Sequence, residues 1–298
     1  MLLLLLSATL LGAMASCSGQ ASRIPGPGLT STPAPAASGT PEAAPTLAST
    51  PTATAGSALH GQKVLGESWQ GRPIVVHWFG DGRYKVVLVG NIHGGTEENT
   101  YWLALEMIAY YEERLEEIPS DVALWIIPTA NPDGLANGTR RNAHGVDLNR
   151  NAHTDGDSCT ENDWASDTHT SEGVVVGGGG PYPFSEVETQ LLRDFLRDAQ
   201  VAIFYHSFAG LIFVTSCGDH APSEKLARYL SEATGYPFPE EGWASYPVTG
   251  GMVDYLADRG VAAAEVELTD TVDTEFDGNL AGVRAVMESV EEIVSSSW

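Results

Sequence analysis

Four short segments set titratable side chains at the carboxyl ends of apolar runs. Lys85-Val-Val-Leu-Val-Gly-Asn-Ile leads into His93, followed by Gly94-Gly95-Thr96-Glu97. Val201-Ala-Ile-Phe-Tyr leads into His206-Ser207, and Ala264-Glu265-Val266 leads into Glu267. Leu124-Trp-Ile-Ile-Pro runs on to Asn131-Pro132-Asp133-Gly134. Two histidines and one glutamate are the ligand set of a hydrolytic zinc site, with the fourth position left to water. A second glutamate that is not a ligand is then the natural general base for that water. Singly, each residue has an ordinary reading. A histidine at a strand end is commonly just packed or on the surface, and a glutamate opening a helix is favoured by the helix dipole. The constellation, rather than any one member, points to metal-assisted hydrolysis.

Such residues meet only if the strands that carry them end side by side. Strand-like runs are Ile74–Phe79, Tyr84–Ile92, Ala123–Pro128, Val201–Tyr205, Leu211–Thr215 and Val261–Leu268. Helical patterns follow at Asn99–Glu117, Glu186–Ala199, Ser223–Thr234, Gly251–Arg259 and Asn279–Ser297. Ser185-x-x-Glu188 reads as a capping box. Alternation of strands and helices argues for an α/β layered sheet with helices on both faces. In open sheets of this kind, ligands bind at the carboxyl ends of the strands.

The flanking sequence differs in kind. Met1 to Cys17 is an apolar stretch followed by small residues, as in a secretory signal. Met14-Ala15-Ser16-Cys17 resembles a lipobox, which would make Cys17 a lipid-bearing N-terminus. Residues 18–58 are rich in Pro, Ala, Thr and Ser and poor in large apolar residues, so a disordered linker is expected. The catalytic domain is expected over 59–298. Acidic residues number 39 against 15 Lys and Arg, a net charge of -24 that excludes a nucleic-acid partner and a basic lipid-docking face. Membrane attachment is expected only through Cys17, placing the protein outside the cytoplasm. Cys159 and Cys217 remain as an even pair in an exported chain, and a disulfide between them is expected. The acidic stretch 153–180 reads as a flexible loop beside the cleft, with a calcium site as the other reading.

Thr139-Arg140-Arg141-Asn142-Ala143-His144-Gly145-Val146-Asp147-Leu148-Asn149-Arg150-Asn151 is similar to a segment of the zinc metallocarboxypeptidases of carboxypeptidase A type. Asn131-Pro132-Asp133-Gly134, Pro183-Phe184-Ser185-Glu186-x-Glu188-Thr189, His206-Ser207, Glu267-Leu268 and Tyr246-x-x-x-Gly250-Gly251-x-x-Asp254 also resemble that family. The resemblance runs from about Gly66 to Ile293. It implies a mixed, mostly parallel β-sheet flanked by helices, and one Zn2+ per chain held by His93, Glu97 and His206. It implies that Glu267 activates the water at the metal and that Arg140 steadies the developing oxyanion. Asn149 and Arg150 would hold the substrate's terminal carboxylate, and Tyr246 would close over the substrate. Val253 would meet the terminal side chain, so an apolar or aromatic residue is expected there.

One spacing departs from the family. Three residues separate His93 from Glu97 where two are usual, and Thr96 stands in the usual ligand place. Thr96 cannot replace a carboxylate, so Glu97 is the expected ligand and Glu98 the rival. Glu265, two residues before Glu267, is the rival base. The expected activity is hydrolysis of an amide next to a free carboxylate, by a monomer acting on peptides. An amidase of cell-wall peptides is the alternative, and a catalytically dead binding protein a more distant one.

Overall fold

A computed structural model of the protein describes residues 59–156, 159–170, 173–216, 220–239 and 246–295. They fall within one compact unit, Thr54–Trp298. The signal-like segment with Cys17, the linker at 18–58 and Cys217 lie outside the described residues.

Among the described residues nine strands are present: β1 His60–Glu67, β2 Pro73–Phe79, β3 Tyr84–Val89, β4 Val122–Ile127, β5 Thr168–Thr170, β6 Gly173–Val175, β7 Val201–Ser207, β8 Ile212–Phe213 and β9 Ala262–Leu268. Seven of them form one sheet in the order β1-β2-β4-β3-β7-β9-β8. The central strands β4, β3, β7 and β9 run parallel, and β1, β2 and β8 add antiparallel edges. Helices are α1 Glu98–Glu113, α2 Pro132–Asn137, α3 Val187–Leu196, α4 Ala221–Thr234, α5 Met252–Ala257, α6 Phe276–Glu288 and α7 Val290–Val294.

The apolar runs of the central strands are long because both faces are covered. Val86, Leu88, Val201, Ile203, Ala262 and Ala264 face a core with Leu103 and Met107 of α1, Leu226 and Leu230 of α4, and Val283 and Val286 of α6. Val87, Val89, Ala202, Phe204 and Ala263 face the other core, with Leu192 and Leu196 of α3 and Met252 and Leu256 of α5. Strand alternation therefore puts His206, Glu265 and Glu267 on the α5 side. In the β7–β9 register, Phe204 is opposite Glu265 and His206 opposite Glu267.

The mixed sheet between two helical layers matches expectation, with local differences. β1 is an edge strand with little burial on either face, so its sequence HGQKVLGE lacks an apolar alternation. α2 begins at Asn131, whose side chain accepts from Gly134 N at 2.8 Å, and Pro132 sits where a helix tolerates it. The capping box at Ser185 does not form. The N-cap of α3 is Glu186, and Glu188 is buried, where it accepts from Trp69 N. The last expected helix breaks at Ser289 into α6 and α7. The acidic stretch is tethered where it is described: Gly250 N donates to Asn162 O at 2.8 Å and Trp164 Nε1 to Gly179 O at 3.0 Å.

Candidate metal centre and catalytic site

The chain leaves β3 through Asn91, which adopts the left-handed conformation at φ 53°. Its amide Nδ2 donates to Gly94 O at 2.6 Å and Glu97 O at 3.0 Å, latching a tight turn over Gly94–Glu97. Gly94 itself has φ 49°, and a Cβ there would stand 2.2 Å from Thr139 O. Gly95 is equally confined, since its Cβ would meet Gly138 Cα at 2.4 Å. The glycine pair thus lets the extra residue of the His93–Glu97 spacing fold into a turn pressed against the segment after α2. Thr96 closes that turn with a hydrogen bond to His93 O. Glu97 is carried inward, and Glu98 stays on the surface, where Trp102 Nε1 donates to it.

His93, Glu97 and His206 converge, all buried, with one donor atom of each within 4.8 Å of the others. His93 Nδ1 stands 2.7 Å from Glu97 Oε1 and 3.0 Å from His206 Nδ1, and His206 Nδ1 is 3.2 Å from Glu97 Oε2. Donors about 2.0–2.1 Å from a tetrahedral zinc ion stand roughly 3.3 Å apart, so the trio fits with small adjustment. Behind it, Asp147 Oδ1 is 3.2 Å from His93 Nε2, the carboxylate support that fixes a ligating imidazole. His206 Nε2 is buried without a hydrogen bond, and Glu265 Oε1 lies 3.8 Å away.

The charges around the trio favour a cation. Burial alone would lower the His206 pKa, but Glu265, Glu97 and Glu267 outweigh it and push it up to about 9. The same negative potential that would retain a proton attracts a divalent ion. Burial works to raise Glu97, but His93 and His206 outweigh it and hold the carboxyl well below its usual range. Glu267 is raised, chiefly by burial and further by Glu97 and Glu265, against the pull of His206 and His93. A raised carboxylate is a better proton acceptor near neutrality.

Arg140 is the counterweight. Its Nε donates to Asp147 Oδ2 at 2.9 Å and its Nη1 to Glu97 Oε1 at 3.2 Å, while Nη2 lies 2.8 Å from His93 Nε2. Asn131 Nδ2 holds the Arg140 carbonyl at 3.2 Å, tying this loop to the end of β4. Tyr246 is near enough to act electrostatically on Arg140. Asn149 and Arg150 lie in a turn opened by Asp147, whose side chain accepts from Asn149 N. Arg150 is 6% exposed; its Nη1 donates to Asn149 O, and its Nε has no hydrogen-bond partner. Val253 packs in the core with Met252, Tyr255 and Leu256.

The described residues thus place a His–Glu–His trio and a nearby glutamate at the carboxyl ends of parallel strands, with Arg140 and Arg150 on the segment that follows α2. The zinc carboxypeptidase family profile matches residues 52–279. The chain belongs to the zinc carboxypeptidase family. A zinc carboxypeptidase of Simulium vittatum is 26% identical over 233 residues, covering 65% of this chain and 73% of the relative. Murein peptide amidase A of Escherichia coli K12 is also 26% identical, over 222 residues, covering 73% of this chain and 85% of the relative. Bovine thrombin-activatable fibrinolysis inhibitor, solved with a tick carboxypeptidase inhibitor, shares the fold. Its TM-score is 0.64 at 20% identity, covering 78% of this chain and 91% of that one. The family makes this protein a zinc-dependent metallopeptidase, and the trio is the donor set suited to the metal.

Two supporting residues carry no role in the sequence reading. Asp147 stands inside the motif Gly-Val-Asp-Leu-Asn-Arg, yet only its distance to His93 shows what it holds. Asn91 is found by its backbone and its two carbonyl contacts, for which an Asn before a Gly-rich turn is the signal.

Proposed function

We propose that this zinc carboxypeptidase hydrolyses the amide bond next to a free C-terminal carboxylate of a peptide. The observation that carries the reading is the pairing of two fixed sites. The His93–Glu97–His206 trio lies beside Glu267, and the buried guanidinium of Arg150 has an unpaired Nε. When bound at the trio, zinc supplies Lewis acidity toward a carbonyl oxygen and toward water. Glu267 accepts a proton from the attacking water and passes it to the departing amine. Arg140, already between Glu97 and Asp147, offers N–H donors where negative charge develops on the carbonyl oxygen. Arg150 receives the terminal carboxylate through its planar donor fork.

A cell-wall peptide amidase is the second reading, favoured by the murein peptide amidase relatives. The signal-like segment and Cys17 support an exported, lipid-anchored protein, and Cys159 with Cys217 supports a disulfide.

The test compares peptides with free and amidated C-termini, and murein tripeptide, on zinc-loaded protein before and after chelation. Cleavage of free-carboxylate peptides that chelation abolishes, zinc restores and Glu267→Gln nearly eliminates is expected. Arg150→Ala should cost most of kcat/KM on these peptides. Equal cleavage of amidated peptides would overturn the carboxylate assignment. Cleavage of murein tripeptide alone would establish the amidase instead.

A further inference from the structure

We propose that Asn99 is a positioning residue for hydrolysis. Its carboxamide ties together the three elements that carry Glu97, His206 and Glu267, and through Ser207 it sets the strip of backbone that grips both carboxylates. The part that concerns Glu267 rests on the reading above, in which that residue is the base.

Asn99 lies two residues after Glu97, in the first turn of α1, and is 2% exposed. Its Oδ1 accepts from Ser207 Oγ at 2.7 Å, at the end of β7. Its Nδ2 donates to Asp270 O at 2.8 Å and to Asp273 O at 3.0 Å, in the turn that follows β9. Both amide hydrogens are thereby used. None of these bonds is to the metal trio or to the base.

The partners are themselves fixed. Thr100 Oγ1 donates to Glu97 O at 2.7 Å and accepts from Asn91 N at 3.0 Å, so the first turn of α1 is fastened to the end of β3. Asp270 Oδ1 accepts from Val272 N at 2.7 Å and Asp273 N at 2.8 Å, and Glu275 Oε1 accepts from Thr269 N at 2.8 Å. The turn after β9 therefore holds its own shape and presents two carbonyls to one amide.

The consequence falls on the backbone from Ser207 to Ala209. Ser207 N donates to Glu97 Oε2 at 3.2 Å, and Ala209 N to Glu267 Oε2 at 3.3 Å. One short strip thus holds an oxygen of the metal ligand and an oxygen of the base. The β7–β9 ladder ends at the Ser207–Leu268 pair, and Gly210 N regains the sheet through Leu268 O. From Ser207 to Gly210 the Ser207 hydroxyl is the one polar side-chain group, and Asn99 is its partner. Without Asn99 three polar groups lose that partner at once. The strip can then shift, and small misplacements of reacting groups are costly to catalysis.

The test uses zinc-loaded full-length protein and whichever of free-carboxylate peptide and murein tripeptide the wild type cleaves. Asn99→Ala should lower kcat by about 10- to 100-fold at saturating zinc, with KM near the wild-type value. Competition with a chromophoric chelator should show zinc held about 10-fold more weakly, a readout apart from turnover. Ser207→Ala should lower kcat in the same direction, and Ser207→Thr, which keeps the hydroxyl, should retain most of it. Asn99→Ala combined with Ser207→Ala should be no slower than Asn99→Ala alone, since the hydroxyl then has no partner to lose.

A merely structural Asn99 would lower Tm and leave kcat of the folded, zinc-loaded enzyme unchanged, and that result overturns the proposal. So does a double variant whose losses multiply. If Asn99→Ala does not fold, equal kcat in Ser207→Ala and wild type overturns it instead. If the wild type cleaves neither substrate, the reading above fails, while weaker zinc binding by Asn99→Ala still supports the Asn99 tie to Glu97. Unchanged zinc affinity in that case overturns both.

Discussion

Replacing Glu97 and Glu98 in turn by alanine separates two neighbours that the spacing alone does not. Glu97 Oε1 meets His93 Nδ1 at 2.7 Å and Arg140 Nη1 at 3.2 Å. Its Oε2 meets His206 Nδ1 and Ser207 N, each at 3.2 Å. Glu97→Ala therefore removes a donor atom from the metal trio and a charge from a buried network. Loss of an outer supporting carboxylate costs about 10- to 100-fold in metal affinity, and loss of a direct ligand must exceed that. At about 1.4 kcal/mol per decade, more than roughly 2.8 kcal/mol of binding free energy disappears. The zinc-free variant should be weakened as well, by up to about 3–5 kcal/mol, because two imidazoles and Arg140 lose their shared anion. Glu98 accepts one bond from Trp102 four residues on, at the surface, so Glu98→Ala should cost only about 0.5 kcal/mol and no zinc. Equilibrium dialysis with metal analysis, alongside thermal melts, measures both effects. Zinc retained by Glu97→Ala but lost by Glu98→Ala would refute the geometry of the whole Gly94–Glu97 turn.

Gly94→Ala should destabilise the protein by about 1–3 kcal/mol and weaken zinc binding with it, read by melts and dialysis, since its Cβ would press on Thr139 O at a positive φ. Asp254→Asn should flatten the pH dependence of Tm. Burial, aided by Glu265, raises the Asp254 carboxyl against its donors Thr215 and Ser216. A raised carboxyl costs stability as pH climbs above its unfolded value of about 4, so the wild type should lose stability toward neutrality where the variant does not. A Tm difference constant from acid to neutral pH would contradict this. Mass spectrometry of unreduced exported protein should find Cys159 joined to Cys217, and free thiols at both would exclude the bond.

The central strands were legible because they are buried on two faces, which leaves unbroken apolar runs such as those ending at His93 and His206. β1 escaped because an edge strand with little burial need not alternate. α2 escaped because Asn131-Pro132-Asp133-Gly134 reads equally as a turn, and only the closed Asn131–Gly134 bond makes it a helix start. At the site, residue types pointed to the trio, but the choice of Glu97 over Glu98 needed a turn direction that glycine dihedrals determine. Asp147 was in view without a role and Glu265 only as the rival base, since contacts across 54 and 59 residues, to His93 and His206, are invisible to local pattern.

The pairing of His206 with Glu267 across one rung of β7 and β9 has a thermal consequence. Adjacent strands are held about 4.8 Å apart by their ladder, so the ligand-to-base separation is set by sheet spacing rather than loop closure. Arg140 and Tyr246 instead ride on connections between elements, and Arg150 on the single helical turn Leu148–Arg150. Core strands open with nearly the full unfolding free energy, whereas loops open far more cheaply. Warming should therefore loosen the grip on substrate before it disturbs the reacting pair, so that KM climbs over a temperature range in which kcat still rises.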